Sequence, residues 1–178
     1  MPMTTDTPAM QVIFSHGKES GPWGFKIKRL ASIAEARHCK VDSVDYRQTL
    51  DPDERIGMLQ ERLTGDAANT LLVGSSMGGY VALAATETFA AAGLFLMAPA
   101  LYIPGWQRQQ YPSRAACIEI VHGWDDDVIP VENSIKYARS ADCELHLVSG
   151  DHPLNSSIET VESLFVGCLD RVLRDRIR

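Results

Sequence analysis

One serine in the stretch Gly74-Ser75-Ser76-Met77-Gly78-Gly79 has glycine two residues before it and two after, and that serine is Ser76. Ser75 has Val73 and Met77 in those places. A serine held on a sharp turn from a strand into a helix can act as a nucleophile only if no bulky side chain crowds the turn, which glycine at both flanks secures. At such a turn the Met77 amide stands at a helix N-terminus and can face a developing oxyanion. The glycine spacing is neither GxGxxG nor followed by GK[ST], so a nucleotide-binding loop does not fit. A serine nucleophile also needs a base, and the base needs an orienting acid. Downstream, the chain offers "HGWDDDVIP" from His122 and "SGDHP" from Ser149. The chemistry these residues suit is acyl transfer through an acyl-enzyme.

Six short apolar runs must carry these residues: Met10–His16, Lys40–Tyr46, Thr70–Gly74, Gly93–Pro99, Cys117–Gly123 and Cys143–Gly150. Amphipathic segments separate them near Gly24–His38, Asp53–Leu63, Met77–Phe89 and Val131–Ala141. A last helical pattern runs from Asn155 to Ile177. Regular alternation of strand and helix predicts a doubly wound α/β fold: a mostly parallel six-stranded sheet with helices on both faces. Ligands in such folds bind beyond the carboxyl ends of strands. The serine turn, the Asp125–Asp127 run and His152 all follow strands.

Together the elbow, the HGxxD…P run and the GxH run resemble the α/β-hydrolase superfamily, in particular its small, lid-poor esterase and thioesterase-like members. The resemblance spans nearly the whole chain, from "VIFSHG" to "SGDHP". It implies a catalytic triad of Ser76, Asp126 and His152. The choice of Asp126 rests on the family's spacing, with two residues between it and His-Gly and proline four positions further on; Asp125 is the alternative. It also implies a second oxyanion donor after the first strand, the backbone N–H of Lys18, beside that of Met77. His16 and His122 are expected to brace loops, and His38 and His146 to be structural or exposed. Larger relatives insert a lid where this chain has only Ala100–Ala115. Tyr102, Ile103, Trp106 and Tyr111, with Trp124, are the candidates for the rim of an open pocket, and any single aromatic among them reads first as packing over the sheet end.

The expected activity is hydrolysis of a small carboxylic ester or thioester, with no cofactor and no metal. The competing reading is a hydrolase-fold module that mainly binds a protein partner, with weak or vestigial hydrolysis. A chain of 178 residues suits one domain, 1–178, with residues 1–9 as a flexible tail. The net charge of −6, spread along the chain, argues against nucleic-acid binding. Phe89–Trp106 carries no charge but is broken by Gly93, Pro99, Pro104 and Gly105, so no membrane span is expected. Cys39, Cys117, Cys143 and Cys168 form no CxxC pair, and the first residues do not read as a secretory signal; both point to a cytoplasmic protein.

Overall fold

The computed structural model describes residues 8–176, so the tail expected over residues 1–9 lies mostly outside the described residues. Six strands, β1 (Gln11–Ser15), β2 (Lys40–Val44), β3 (Thr70–Ser75), β4 (Gly93–Met97), β5 (Ile118–Gly123) and β6 (Glu144–Val148), form one sheet in the order β2-β1-β3-β4-β5-β6. Every neighbouring pair is parallel, so the sheet is wholly rather than mostly parallel. Five helices connect and cover it: α1 (Phe25–Glu35), α2 (Pro52–Arg62), α3 (Met77–Ala85), α4 (Val131–Ala141) and α5 (Ile158–Asp175).

Side chains alternate across each strand and feed two cores. On one face Val12, Phe14, Leu71, Val73, Phe95 and Met97 pack against Ile27 and Leu30 of α1 and Phe165 and Leu169 of α5. On the other, Ile13, Leu72, Leu94, Leu96 and Ile120 pack against Ile56 and Leu59 of α2, against α3, and against Tyr137 of α4. The central strands β3 and β4 are buried at every residue, which is why they read as unbroken apolar runs. The edge strands β2 and β6 keep partly exposed positions.

Helix α3 departs from the amphipathic pattern expected over Met77–Phe89. It ends at Ala85, and all nine of its residues are buried. The reason is its position, with the sheet beneath it and α2 and the Leu101–Tyr111 loop over it. Helix α2 opens on Pro52, with the Asp51 carboxylate accepting from the Asp53 and Glu54 amides, a well-formed N-cap.

Strand order reverses between β1 and β3, with β2 outside β1 and β4 outside β3. The loops after those two strands part at this switch point and leave a crevice. Residues 16–20 follow β1 on one side of it, and Ser76 follows β3 on the other.

Candidate active site

Ser76 is the residue between β3 and α3, and its backbone lies at φ 54°, ψ −120°. A non-glycine residue in that region is strained, and such strain persists only where neighbours over-determine it. Here they do. The Ser76 N–H donates to Met97 O at 2.9 Å, and its carbonyl accepts from Gly79, Tyr80 and Ala100. The flanking glycines allow the close approach the turn needs. A Cβ on Gly74 would run into the Gly78 carbonyl, and one on Gly78 into the Ser15 carbonyl of β1. Bulk at either place would push α3 off the sheet and open the turn.

His152 follows β6 and brings its Nε2 to 3.0 Å from Ser76 Oγ. Its Nδ1 is 2.7 Å from Asp126 Oδ2. Because a carboxylate only accepts, Nδ1 carries the proton, and Nε2 is left to accept from the serine hydroxyl. The imidazole is 18% exposed, while the Asp126 side chain is fully buried. Asp125, the alternative acid, is solvent-exposed and has no part in this line. Close contact of the Gly123 and Gly150 backbones, at the ends of neighbouring β5 and β6, sets the acid loop against the histidine loop.

Asp126 is saturated with donors. Oδ1 accepts from the Val128 and Ile129 amides at 2.9 and 2.8 Å. Oδ2 accepts from His152 and also from His122 Nε2, at 3.0 Å. Burial pushes this carboxyl up, but the Ile129 and Val128 amides and the His152 ring outweigh it and hold the group below its ordinary range. His122 braces the loop as expected: its Nδ1 meets Ser134 Oγ at 2.7 Å, and its Nε2 also reaches Ile129 O at 3.1 Å. Full burial pushes the His122 ring down, toward its neutral form. His16 is a brace too. His38 is exposed, and His146 bonds Glu119 at 2.8 Å, away from the crevice.

On the far side of the crevice, a Cβ built on Gly17 would lie 3.5 Å from Ser76 Cβ. The Tyr46 amide donates to His16 Nε2 at 2.9 Å, so His16 Nδ1 holds the proton and donates to Gly17 O at 2.8 Å. Arg55, fully buried in α2, donates from Nη1 to the same carbonyl at 3.2 Å and from Nε to Thr49 O at 3.0 Å. Its Nη2 reaches Lys18 O at 3.5 Å, and its guanidinium lies over the Tyr46 ring at 5.2 Å. The peptide is trans, so the Lys18 N–H runs antiparallel to Gly17 C=O and points away from both donors. The Met77 N–H, at the first position of α3, has no preceding helical acceptor. Among the described residues neither amide donates to a protein acceptor. Sequence reasoning missed Arg55. Its signal was a charged residue beside Ile56 on the buried side of an otherwise polar helix, which reads equally as a solvated position.

The crevice is a cleft of about 730 Å³. Ile103, Trp106, Val128 and Ile129 form much of its apolar wall around Ser76 and His152. Trp106 stands where expected, edge-on to Tyr80 at 4.7 Å. Tyr102 does not. Its backbone is left-handed (φ 56°), and its ring packs on Tyr111 at 5.2 Å beneath Lys136 Nζ, facing a second cavity. Trp124 is also outside the cleft. It follows β5 with its backbone N–H on Val148 O, and the residue is 57% exposed. Among the described residues no three of His, Cys, Asp and Glu gather as a metal site, and no helix is long and apolar enough to cross a membrane.

Comparison with known proteins agrees with this architecture. Residues 11–111 match the model of an uncharacterised protein family, UPF0227, a span that holds Ser76, Met77 and Lys18 but ends before Asp126 and His152. No curated protein matches the chain. Among solved structures, it is similar to a protein from Xanthomonas campestris pv. campestris assigned to the hydrolases of the alpha/beta superfamily. That match has 29% identity and a TM-score of 0.80, covering 91% of this chain and 98% of the other. The ydeN gene product of B. subtilis has 20% identity and a TM-score of 0.70, with 88% and 100% covered. Esterase PE8 has 17% identity and a TM-score of 0.64, with 91% and 96% covered. With its wholly parallel sheet, its serine turn after β3 and these matches, the chain belongs to the uncharacterised protein family UPF0227, within the α/β-hydrolase superfamily.

Proposed function

We propose that the protein is a serine hydrolase that cleaves a small carboxylic ester or thioester through an acyl-enzyme on Ser76. The observation that carries this reading is the unbroken line from Ser76 Oγ to His152 Nε2 at 3.0 Å and from His152 Nδ1 to Asp126 Oδ2 at 2.7 Å. The likeness to structures described as hydrolases and esterases adds support.

In this mechanism His152 Nε2 takes the hydroxyl proton as Ser76 Oγ bonds to the acyl carbon. Asp126 fixes the ring tautomer and stabilises the imidazolium. The negative charge on the former carbonyl oxygen is met by the N–H groups of Met77 and Lys18, both without protein acceptors. Collapse of the tetrahedral intermediate breaks the bond to the alcohol or thiol, which leaves with the proton from His152. Water then enters; His152 takes its proton, hydroxide adds to the acyl carbon, and the acid departs as Ser76 recovers its hydrogen. Arg55 and His16 act as positioning residues, because they hold the peptide that presents the Lys18 N–H. The short Ala100–Ala115 segment leaves the cleft open, which favours small or extended acyl groups. Four free thiols favour a reducing, cytoplasmic setting.

The test is labelling with a fluorophosphonate probe, followed by turnover of short-chain acyl nitrophenyl esters and acyl-CoA thioesters. Labelling that is lost in Ser76→Ala, with turnover of at least one substrate class, is the expected result. Absence of labelling in folded protein, or labelling that survives Ser76→Ala, overturns the reading and favours the protein-binding alternative.

A further inference from the structure

Lys26 is the second residue of α1, half-buried, and lines the cleft together with Ser76 and His152. Among the described residues no carboxylate lies within 4.0 Å of its ammonium and no acceptor takes a hydrogen bond from it. Four arginines are paired near the surface, Arg29 with Glu162, Arg37 with Asp170, Arg47 with Asp45 and Arg62 with Asp42. The lysines Lys18, Lys28, Lys40 and Lys136 are exposed to water, whereas Lys26 is half-buried without an ion pair among the described residues. A cation that gives up much of its water without gaining a partner is costly, and such a group in a binding cleft marks where a ligand's opposite charge would go. The first turn of α1 also has no acidic residue, and its N-cap Gly24 gives no side-chain cap.

The charged groups around Lys26 narrow the ligand. Lys18 and Glu19 of the β1–α1 loop line the same cleft and offset one another, which leaves Lys26 as the uncompensated charge on the cleft wall itself. Asp126 of the β5–α4 loop and Asp151 of the β6–α5 loop act on Lys26 through space, and His152 stands on the cleft floor. Asp126 already meets four donors and makes no hydrogen bond to Lys26, so it acts on the ammonium only through space. The negative field of Asp126 and Asp151 opposes a phosphate dianion, so a single carboxylate meeting Lys26 directly suits the cleft better. The remaining wall is apolar, with Phe25, Ile103, Trp106 and Val128.

We propose that Lys26 binds a carboxylate on the substrate, making the enzyme selective for esters that carry a free carboxylate a short reach from the scissile bond. The proposal rests on the serine-hydrolase reading above. Burial drives Lys26 down to about 8, against the upward pull of Asp126 and Asp151, so its charge is present at pH 7 and mostly gone at pH 9.

The experiment compares kcat/KM for mono-4-nitrophenyl glutarate with that for its neutral methyl ester. At pH 7 the wild type is expected to favour the glutarate monoester by about tenfold or more, the scale of one charge-assisted hydrogen bond in a partly solvated cleft. Lys26→Met should bring the ratio to about one, Lys26→Arg should keep a preference, and exposed Lys28→Met on the same helix should leave the wild-type ratio. Raising the pH to 9 should erode the wild-type ratio, while effects common to both esters cancel in it. A wild-type ratio of one or below, or a ratio that survives Lys26→Met in protein with a wild-type circular-dichroism melt, overturns the proposal while Ser76 labelling keeps the hydrolase reading. If Ser76 labels but neither ester turns over, protection of labelling by monomethyl glutarate in the wild type and not in Lys26→Met upholds the proposal, and equal labelling overturns it. If neither ester turns over and no label attaches, both readings fall together.

Discussion

His122 and His152 converge on one atom, Oδ2 of Asp126, at 3.0 and 2.7 Å. With Oδ1 held by the Val128 and Ile129 amides, all four hydrogen-bonding positions of this buried carboxylate face donors. Only a group that accepts everywhere fits.

Asp126→Asn therefore cannot be a quiet isostere. An amide has to turn its NH₂ toward donors at one side, either two backbone N–H groups or two imidazoles. His152 would be driven to the other tautomer, with its proton on Nε2 and no acceptor left for Ser76. The expected loss in kcat on a nitrophenyl ester is about 10⁴-fold. Stability should fall by about 1–3 kcal/mol for the mismatched buried contacts. Steady-state kinetics and a denaturant titration on the same preparation check both.

The same burial makes stability depend on pH. Folding lowers the proton affinity of His122 and His16, both fully buried. Their unfolded value is 6.5, so below about that pH the unfolded chain binds protons that the folded chain refuses. Stability is fully present above that value and declines as pH falls through it toward the folded values. Each ring contributes at most about 1.4 kcal/mol per pH unit. Asp126, also lowered, adds a loss of the same sign at more acidic pH, once the pH falls below its unfolded value of 3.8. Urea midpoints should therefore drop between pH 7 and 5, and a flat profile over that interval would contradict the neutral rings inferred from the hydrogen bonds.

Much of this site was legible in the sequence because the constraints that make it are local. Gly74 and Gly78 around Ser76 report close backbone approach, and backbone approach leaves its mark on residue type. Asp126 and His152 follow strands whose order is set by right-handed crossovers, so topology alone brings their loops to one sheet edge. Which of the rim aromatics line the cleft, as Trp106 does and Tyr102 and Trp124 do not, was not legible. Whether an aromatic ring turns into a cleft depends on a single backbone angle, as at left-handed Tyr102, and no residue type announces it. Arg55 and Lys26 were hidden for a related reason. Both sit on helices among other charged residues, and only the tertiary neighbours separate a buried or cleft-lining cation from a solvated one.

Arg55 makes its own prediction. Removing its guanidinium leaves Gly17 O with His16 alone and frees the peptide that carries the Lys18 N–H. Arg55→Met should lower kcat by about 10²-fold, the scale of one oxyanion donor, with a much smaller change in KM, because the donor matters most in the transition state. Arg55→Lys keeps a donor able to reach one carbonyl and should recover part of the loss. A rise in KM at unchanged kcat would instead assign Arg55 to substrate binding.

Two glycines in helices should respond to alanine in opposite directions. Gly57, exposed in α2, has nothing within 4 Å of the position a Cβ would take. Gly57→Ala removes backbone freedom from the unfolded chain and should raise stability by about 0.5–1 kcal/mol without touching activity. Gly78, in the first turn of α3, has the Ser15 and His16 carbonyls in that place. The methyl of Gly78→Ala can be housed only if α3 lifts from β1, and α3 carries the Met77 amide, while the residue before it is Ser76. Stability should fall by about 1–3 kcal/mol. Activity should fall further than the fraction unfolded explains, because folded molecules would also have their serine turn displaced from His152. Thermal melts with kcat/KM on the three proteins decide it. Gly78→Ala with intact turnover would mean that the contact between α3 and β1 is loose, and that the strained backbone at Ser76 is not what holds the hydroxyl within 3.0 Å of the imidazole.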